Sequence, residues 1–317
     1  MGDQPFAPDA HFIWFGRSFP WVHWLALASA SRRSELSRIV VHHQDPVDSE
    51  WWPAALDLPR VEARRLDPEA VLEATGSQGG QLVDLYRLLR QPAARANVVR
   101  AALLHAHGGV YLDFDTVTVR PLAPLLEHAG AFCGVERLAF PRDPHRPHTV
   151  RRFVGAWART SVRDVLRRVP EGWKWFRRLE TYYPTAPNNA VIGCRPGNAL
   201  LANLLTRMVA LPASRRRVRY ALGTHLLEEA VADYRGTDLI VHPPDVFYPL
   251  GPEISVHWFR HSRVPLAQLL YPTTRVVHWY ASVRTRRIVP KIDPAWVREH
   301  HDRQPFSALA LPFVELE

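Results

Sequence analysis

The sequence predicts an α/β protein whose mostly parallel sheet is flanked by helices, and three stretches carry that expectation. "HFIWFG" (11–16), a helix from Trp21 to Glu35 and "RIVVHHQ" (38–44) form a strand–helix–strand opening, which favours parallel pairing. "VEARRLDPEAVLEA" (61–74) adds a strand and a helix with Pro68 and Glu69 in its first turn. "RAALLHAHGGVYLDFDTVTVRPL" (100–122) then reads as helix, glycine turn, buried strand and acidic tip. Open α/β sheets present their ligand sites in this way, at the carboxyl ends of strands.

The acidic tip sets Asp113 and Asp115 one residue apart. On an extended strand such residues share a face, so the two carboxylates converge and repel. A hard divalent cation with oxygen ligands relieves that repulsion. An isolated D-x-D is more often a solvated strand end. The setting here argues for the cation. Val98, Ala101, Ala102 and Leu104 lie at near-helical spacing in a helix from Asn97 to His107, which Gly108 and Gly109 stop. Val110, Tyr111 and Leu112 follow as a short strand.

With 317 residues the chain can bury a sizeable core, and it shows neither an internal repeat nor a linker, so residues 1–317 read as one domain. At 47% hydrophobic and 22% charged residues the composition is globular. No uncharged apolar run approaches the roughly 18 residues a membrane span needs. "WVHWLALASA" (21–30) reads as a buried amphipathic helix and not as a signal peptide. Cys133 and Cys194 are too few for a disulfide scaffold and fit small core residues in a reducing, cytoplasmic setting. The net charge of +9 invites a nucleic-acid or anionic-membrane partner. All but two of the 40 basic residues are arginines, however, and they are scattered. The densest local run, "SRRRVRY" (214–220), reads as a solvated helix end or a phosphate-facing edge. No nucleic-acid partner is expected, whereas anionic substrates and peripheral contact with a membrane surface are compatible with this balance.

Further along, "TGSQGG" (75–80) has the composition of a mobile connection, "GAFCGVE" (130–136) of a strand, and "FPRDPHRPHTVRR" (140–152) of an exposed excursion. "PNNAVIGCRPGNALLANLL" (187–205) gives an Asn pair, a short strand, a Pro-Gly turn and a helix capped by Asn198. "DLIVHPPDVFYP" and "RVVHWYASV" are strand-like pieces, each with a histidine.

Together, "HFIWFG", "ANVVRAALLHAHGGVYLDFDT", "NNAVIGCRPGNALLANLL" and "VVHWY" resemble the D-x-D glycosyltransferases of glycosyltransferase family 32, which are similar in turn to the catalytic domains of the large clostridial glucosylating toxins. The block from Arg100 to Asp115, R-x-x-x-L-x-x-x-G-G-V-Y-L-D-x-D, is the specific part. The resemblance implies a GT-A fold, a UDP- or GDP-sugar donor held through manganese or magnesium, a hydroxyl acceptor on a glycan, lipid or small molecule, and transfer with retention. Carried over by position, Asp113 faces the nucleotide ribose or the water shell of the metal, and Asp115 coordinates the metal. Arg100 contacts the donor, with Phe12 and Trp14 of the opening strand on the donor side. Asn97 stands where the family has an aspartate and offers hydrogen bonds to a sugar hydroxyl. Asn189 lies near the reacting sugar as a third catalytic residue beside the two aspartates, and His278 reaches the metal and the diphosphate. "LGTHLLEE" (222–229) takes the place of a Gly-Pro element of the family.

The residues alone leave other readings open. Arg100 also suits a structural ion pair, Asn189 a turn, and His278 a satisfied core position. His257, in "SVHWFR", repeats the His-Trp-aromatic pattern of His278. "YLDFDTVT" also fits the strand end of haloacid-dehalogenase-type phosphatases, whose first aspartate is a nucleophile. That chemistry needs a lysine and a later acidic pair, yet the chain has no Asp-Asp dipeptide and only Lys174 and Lys291. A basic, non-enzymatic binding module would cluster arginines with aromatics on one face.

Overall fold

The structure, a computed structural model, describes residues 6–140, 150–216, 218–281 and 287–314. Its strands are β1 (Ala10–Trp14), β2 (Ile39–His43), β3 (Val61–Arg65), β4 (Gly109–Leu112), β5 (Thr116–Thr118), β6 (Ala131–Arg137), β7 (Thr185–Cys194), β8 (Leu239–His242) and β9 (Val276–His278). Seven form one sheet in the order β3-β2-β1-β4-β7-β6-β8. The β3 to β4 half is parallel, β7 runs antiparallel to both its neighbours, and β8 returns parallel to β6. β5 and β9 make a separate antiparallel ribbon. The expected α/β class and mostly parallel sheet are therefore present.

Alternation along the strands divides the interior in two. Phe12, Val41, Val110 and Leu112 face the helix Trp21–Arg33, whereas Ile13, Tyr111 and Ile192 face the helix Pro92–His107. Both sides of β1, β2 and β4 are covered, which is why these strands read as continuous apolar runs. Gly108 and Gly109, with φ of 65° and 92°, turn the chain from helix into β4. A Cβ on Gly109 would lie 2.4 Å from the Asp9 carbonyl oxygen, so the tight turn admits no side chain there.

Several expected boundaries move. The first helix ends at Arg33, and it is buried around most of its circumference from Trp21 to Ser31, so it is not amphipathic. "TGSQGG" is only partly a connection, because Gly79 already starts the helix Gly79–Leu88. The helix expected from Asn97 begins at Pro92, whose missing N–H costs nothing at a helix start. The short strand after the Asn pair is a ten-residue strand that includes it. "DLIVHPPDVFYP" is β8 followed by the short helix Pro244–Phe247. Asn198 caps its helix as expected, its side chain accepting from Leu200 N at 2.9 Å. Residues 141–149 of the expected excursion lie outside the described residues.

His11, His42 and His257 are buried, and burial lowers their pKa values to about 4, about 3 and about 4. His11 and His42 are hydrogen-bonded to each other at 3.0 Å, which two imidazolium rings could not do. A depressed native pKa means that the unfolded chain binds more protons below its ordinary value of 6.5, so stability is full above 6.5 and falls as pH drops towards 4. The limiting loss is on the order of 3 kcal/mol per site. Urea midpoints should therefore decline steeply between neutral pH and pH ~5. A flat profile there would show that these rings titrate freely in the folded state.

Candidate active site

Beyond Leu112 the chain leaves β4 and turns, so Asp113 and Asp115 do not lie on a strand as expected. Asp113 N donates to Ala190 O of β7 at 2.9 Å, and Thr116 Oγ1 donates to Asp113 O at 2.7 Å, which fixes the turn. Phe114 points down between the two aspartates into the core, with its ring centroid 5.0 Å from Phe12, 5.2 Å from Trp14 and 5.6 Å from Phe19. The carboxylates converge because of the turn and because β9 pairs with β5. Register sets His278 opposite Thr116, and Trp279 N donates to Asp115 O at 3.0 Å. Ligand atoms of Asp113, Asp115 and His278 all lie within 4.8 Å of one another.

Each carboxylate is compensated separately. Arg100 donates to Asp113 Oδ1 at 2.8 Å, to Tyr111 Oη at 3.0 Å and to the Asn189 carbonyl, and its guanidinium stacks 3.8 Å from the Tyr111 ring centroid. Tyr111 Oη also donates to Asp113 Oδ1 at 2.8 Å. Burial works against the Arg100 charge, but the Asp113 carboxylate outweighs it and holds the pKa above the ordinary value. Asp115 sits 2.9 Å from His278 Nε2 and accepts from Ala281 N at 2.8 Å. Burial raises the Asp115 pKa, yet the imidazolium and the Ala281 N–H overcome it and leave it lowered. His278 shows the converse: burial lowers its pKa and Asp115 raises it further than that.

A cleft of about 420 Å³ opens over this group. The register of β6 against β7 slips between Cys133 and Gly134, and this bulge turns the Asn188–Asn189 pair towards the cleft. Asn189 Nδ2 donates to Asn97 Oδ1 at 2.9 Å. Gly223, within the irregular turn Ala221–His225, comes so close that a Cβ there would lie 2.7 Å from Asn97 Nδ2 and 3.0 Å from Asn189 Nδ2. Trp14 lines the cleft, its ring centroid 4.7 Å from that of His23 and 5.2 Å from that of Phe114.

Of the residues singled out in the sequence, Trp14, Asn97, Arg100, Asp113, Asp115, Asn189 and His278 share this cleft. Phe12 does not. It is 0% exposed beneath Phe114, so a donor contact gives way to a packing role. His257 is also elsewhere, buried and held 3.1 Å from the Leu166 carbonyl. Glu136, a buried acid in the cleft wall that accepts from Tyr280 Oη at 2.8 Å, belongs to no pattern visible in the sequence, whereas Tyr280, the aromatic that ends "VVHWY", lines the cleft beside His278. Thr224, beside Gly223, brings its "LGTH" stretch into the wall.

Two carboxylates and an imidazole fit a hard or borderline divalent ion such as manganese or magnesium. His278 Nδ1 has no hydrogen-bond partner among the described residues, so the ring can give up its Nε2 proton and turn that nitrogen to a cation without breaking a bond at Nδ1. A phosphatase nucleophile is disfavoured, since Asp113 is clamped by Arg100 and Tyr111 and neither Lys174 nor Lys291 lines the cleft. A basic binding module is disfavoured as well, because Arg100, Arg163, Arg167, Arg207 and Arg215 are joined to carboxylates.

Residues 25–131 match the family described as "Glycosyltransferase sugar-binding region containing DXD motif". These 107 of the 317 residues are similar to a DXD-type glycosyltransferase sugar-binding region. The match ends beyond Asp115 and takes in Asn97, Arg100 and both aspartates, and the enzyme class that follows is glycosyltransferase. No curated protein matches the chain. Among solved structures it is similar to the PaToxG glycosyltransferase, with 12% identity over 72% of this chain and 69% of that one and a TM-score of 0.39. The ligand-free glycosyltransferase domain of the YGT toxin gives 9% identity over 74% and 80% with a TM-score of 0.42. The galactosyltransferase LgtC in complex with donor and acceptor sugar analogues gives 13% identity over 95% of each chain with a TM-score of 0.44.

Proposed function

We propose that the chain is a single catalytic domain that moves a sugar from a UDP- or GDP-sugar to a hydroxyl of a glycan, lipid or small molecule, with retention at the anomeric carbon. The observation that carries this reading is the convergence of Asp113, Asp115 and His278 on the floor of the cleft. Asp113, Asp115 and His278 would hold a manganese or magnesium ion, which would supply positive charge against a departing diphosphate. Arg100 fixes the rotamer of Asp113 from below, and Asp113 faces the nucleotide ribose or the water around the metal. The Asn97–Asn189 pair leaves Asn97 Nδ2 and Asn189 Oδ1 to meet sugar hydroxyls, with Asn189 beside the reacting carbon. Trp14 offers an apolar wall to the donor. Two buried free thiols support a reducing, cytoplasmic setting. Among the described residues no helix is long and apolar enough to cross a membrane, so any membrane contact we propose is peripheral.

The direct test is hydrolysis of UDP- and GDP-sugars with and without manganese. Release of the nucleoside diphosphate from one donor class, dependent on metal, is expected. Release of inorganic phosphate from phosphate monoesters instead would return the phosphatase reading.

The two histidines separate cleanly. His278→Ala should weaken manganese binding at least tenfold by removing a ligand and uncovering Asp115, whereas His257→Ala should leave affinity unchanged and lower stability through a buried hydrogen bond. Calorimetric titration of manganese with nucleoside diphosphate distinguishes the two. Loss confined to His257→Ala would remove His278 from the site.

A further inference from the structure

Beside the buried Ala156 and Leu166, the helix Val150–Leu166 turns charge inwards and large apolar side chains outwards. Its inner side carries arginines: Arg163 reaches Glu253 at 2.9 Å and Arg159 Nε donates to the Ala139 carbonyl at 3.0 Å, and Arg167, just past the helix end, reaches Glu253 at 3.5 Å. Arg167 and Glu253 are each 7% exposed. Its outer side carries the apolar residues, with Val154, Trp157 and Val165 at 56%, 66% and 58% exposure. The helix Trp173–Leu179 packs against it; it buries Trp173 and Phe176 in the ordinary way but adds Trp175, 54% exposed, to the same outer face. A soluble helix places its charges outwards and its apolar stripe inwards. Among the described residues nothing covers this outer apolar stripe, and an exposed apolar patch of this kind marks an interaction surface.

We infer that this two-helix face docks on the surface of an anionic lipid bilayer. Two features select a bilayer. First, the exposed apolar residues are headed by Trp157 and Trp175, whose amphipathic rings favour the headgroup boundary. Second, the charge around them is one-sided. The acids of this region are engaged, Asp164 with Arg163 and Arg167, Glu171 with Lys174, and Glu180 with Arg137. Arg168 and Arg178 are exposed and joined to no carboxylate among the described residues; Arg168 donates to the Asp164 carbonyl and Arg178 stacks on Trp175 at 4.6 Å. Cations beside interfacial aromatics complement anionic headgroups. A symmetric pairing of two copies through this face would instead gather the Arg168 and Arg178 of both copies into one interface.

Docking here also has a consequence for the cleft. Glu253, held by Arg163 and Arg167, follows directly on Pro252, which lines the cleft wall. The lipid-facing helix is thus tied by an ion pair to the wall of the site, and a hydroxyl held in the membrane would be presented on that side. This consequence rests on the transferase reading; the docking does not.

Sedimentation of the full chain with vesicles tests the docking independently of catalysis. With phosphatidylcholine vesicles containing phosphatidylglycerol at low salt, the protein should pellet with the lipid, and it should be released by raised salt and bind pure phosphatidylcholine far less. The double variant Trp157→Ser/Val165→Ser should reduce partitioning by about tenfold or more, with an unchanged melting temperature because neither side chain is buried. Failure of the wild type to pellet with anionic vesicles would overturn the proposal, as would undiminished binding by the double variant. A concentration-dependent dimer abolished by the same two substitutions would assign the face to self-association and overturn it too. Donor hydrolysis in the absence of lipid should be the same in both proteins, so failure of the transferase reading would register there and leave the sedimentation result standing.

Discussion

Asp115→Asn should lower metal-dependent turnover by on the order of a hundred- to several-thousand-fold while leaving the fold intact, a loss of about 3 to 5 kcal/mol of transition-state stabilisation. The amide is nearly isosteric with the carboxylate. Its oxygen can still accept from Ala281 N, and it can still meet His278 Nε2, so the turn and the β5–β9 ribbon keep their contacts. What disappears is a negative charge whose pKa is held down by the His278 imidazolium and the Ala281 N–H in spite of burial. Asp113→Asn is expected to behave differently. It would leave the buried Arg100 guanidinium with only neutral acceptors, so stability should fall together with activity, by about 3 kcal/mol. Titrating manganese and nucleoside diphosphate into both variants, with urea unfolding alongside, separates the two roles. Unchanged affinity and turnover in Asp115→Asn would remove that carboxylate from the metal site.

The two aspartates show what the sequence discloses and where it stops. Period and punctuation were enough for the strand–helix–strand opening, for the Gly108–Gly109 stop and for a pair of acids at the end of β4, because each rests on the geometry of a few neighbouring residues. The argument that placed both carboxylates on one strand face arrived at their convergence by the wrong route. They converge through a turn that Ala190 and Thr116 fix, and through a ribbon partner 163 residues away from Asp115. Local pattern could not rank His278 above His257, since both precede a tryptophan and an aromatic. The register of β9 on β5 decides it, and register is a property of the folded sheet.

Phe12 and Trp14 illustrate the same boundary at a finer scale. Period two puts them on one face of β1, so sequence treats them alike. Depth distinguishes them: Phe12 lies under Phe114, and Trp14, one step nearer the strand end, reaches the cleft. Glu136 belongs to no motif, and only the approach of β9 and the aromatic Tyr280 reveals it as part of the wall. The helix Val150–Leu166 was not read from the sequence at all, and no local pattern says which of its sides faces inwards. That is settled by Glu253, a residue far along the chain that draws Arg163 and Arg167 into the protein.

Arg100→Lys should impair transfer and destabilise the fold together, by roughly 2 to 4 kcal/mol in stability. The native guanidinium divides its donors among Asp113, Tyr111 and the Asn189 carbonyl, and its plane lies against the Tyr111 ring. A lysine ammonium carries the same charge on a single atom, so it can face Asp113 or Asn189 but cannot span both, and it forfeits the stacking. Burial raises the cost of any acceptor left unmatched. Because Arg100 commits its two terminal nitrogens to the protein, its influence on a donor substrate runs through the set of Asp113 and Asn189. The substitution should therefore weaken manganese–nucleotide binding and shift the urea midpoint in one variant, and the Arg100→Met variant, which lacks the charge altogether, should be worse in both. Equal stability with a selective fall in kcat would mean instead that the guanidinium touches the donor directly, and full activity at lowered stability would reduce it to a structural ion pair.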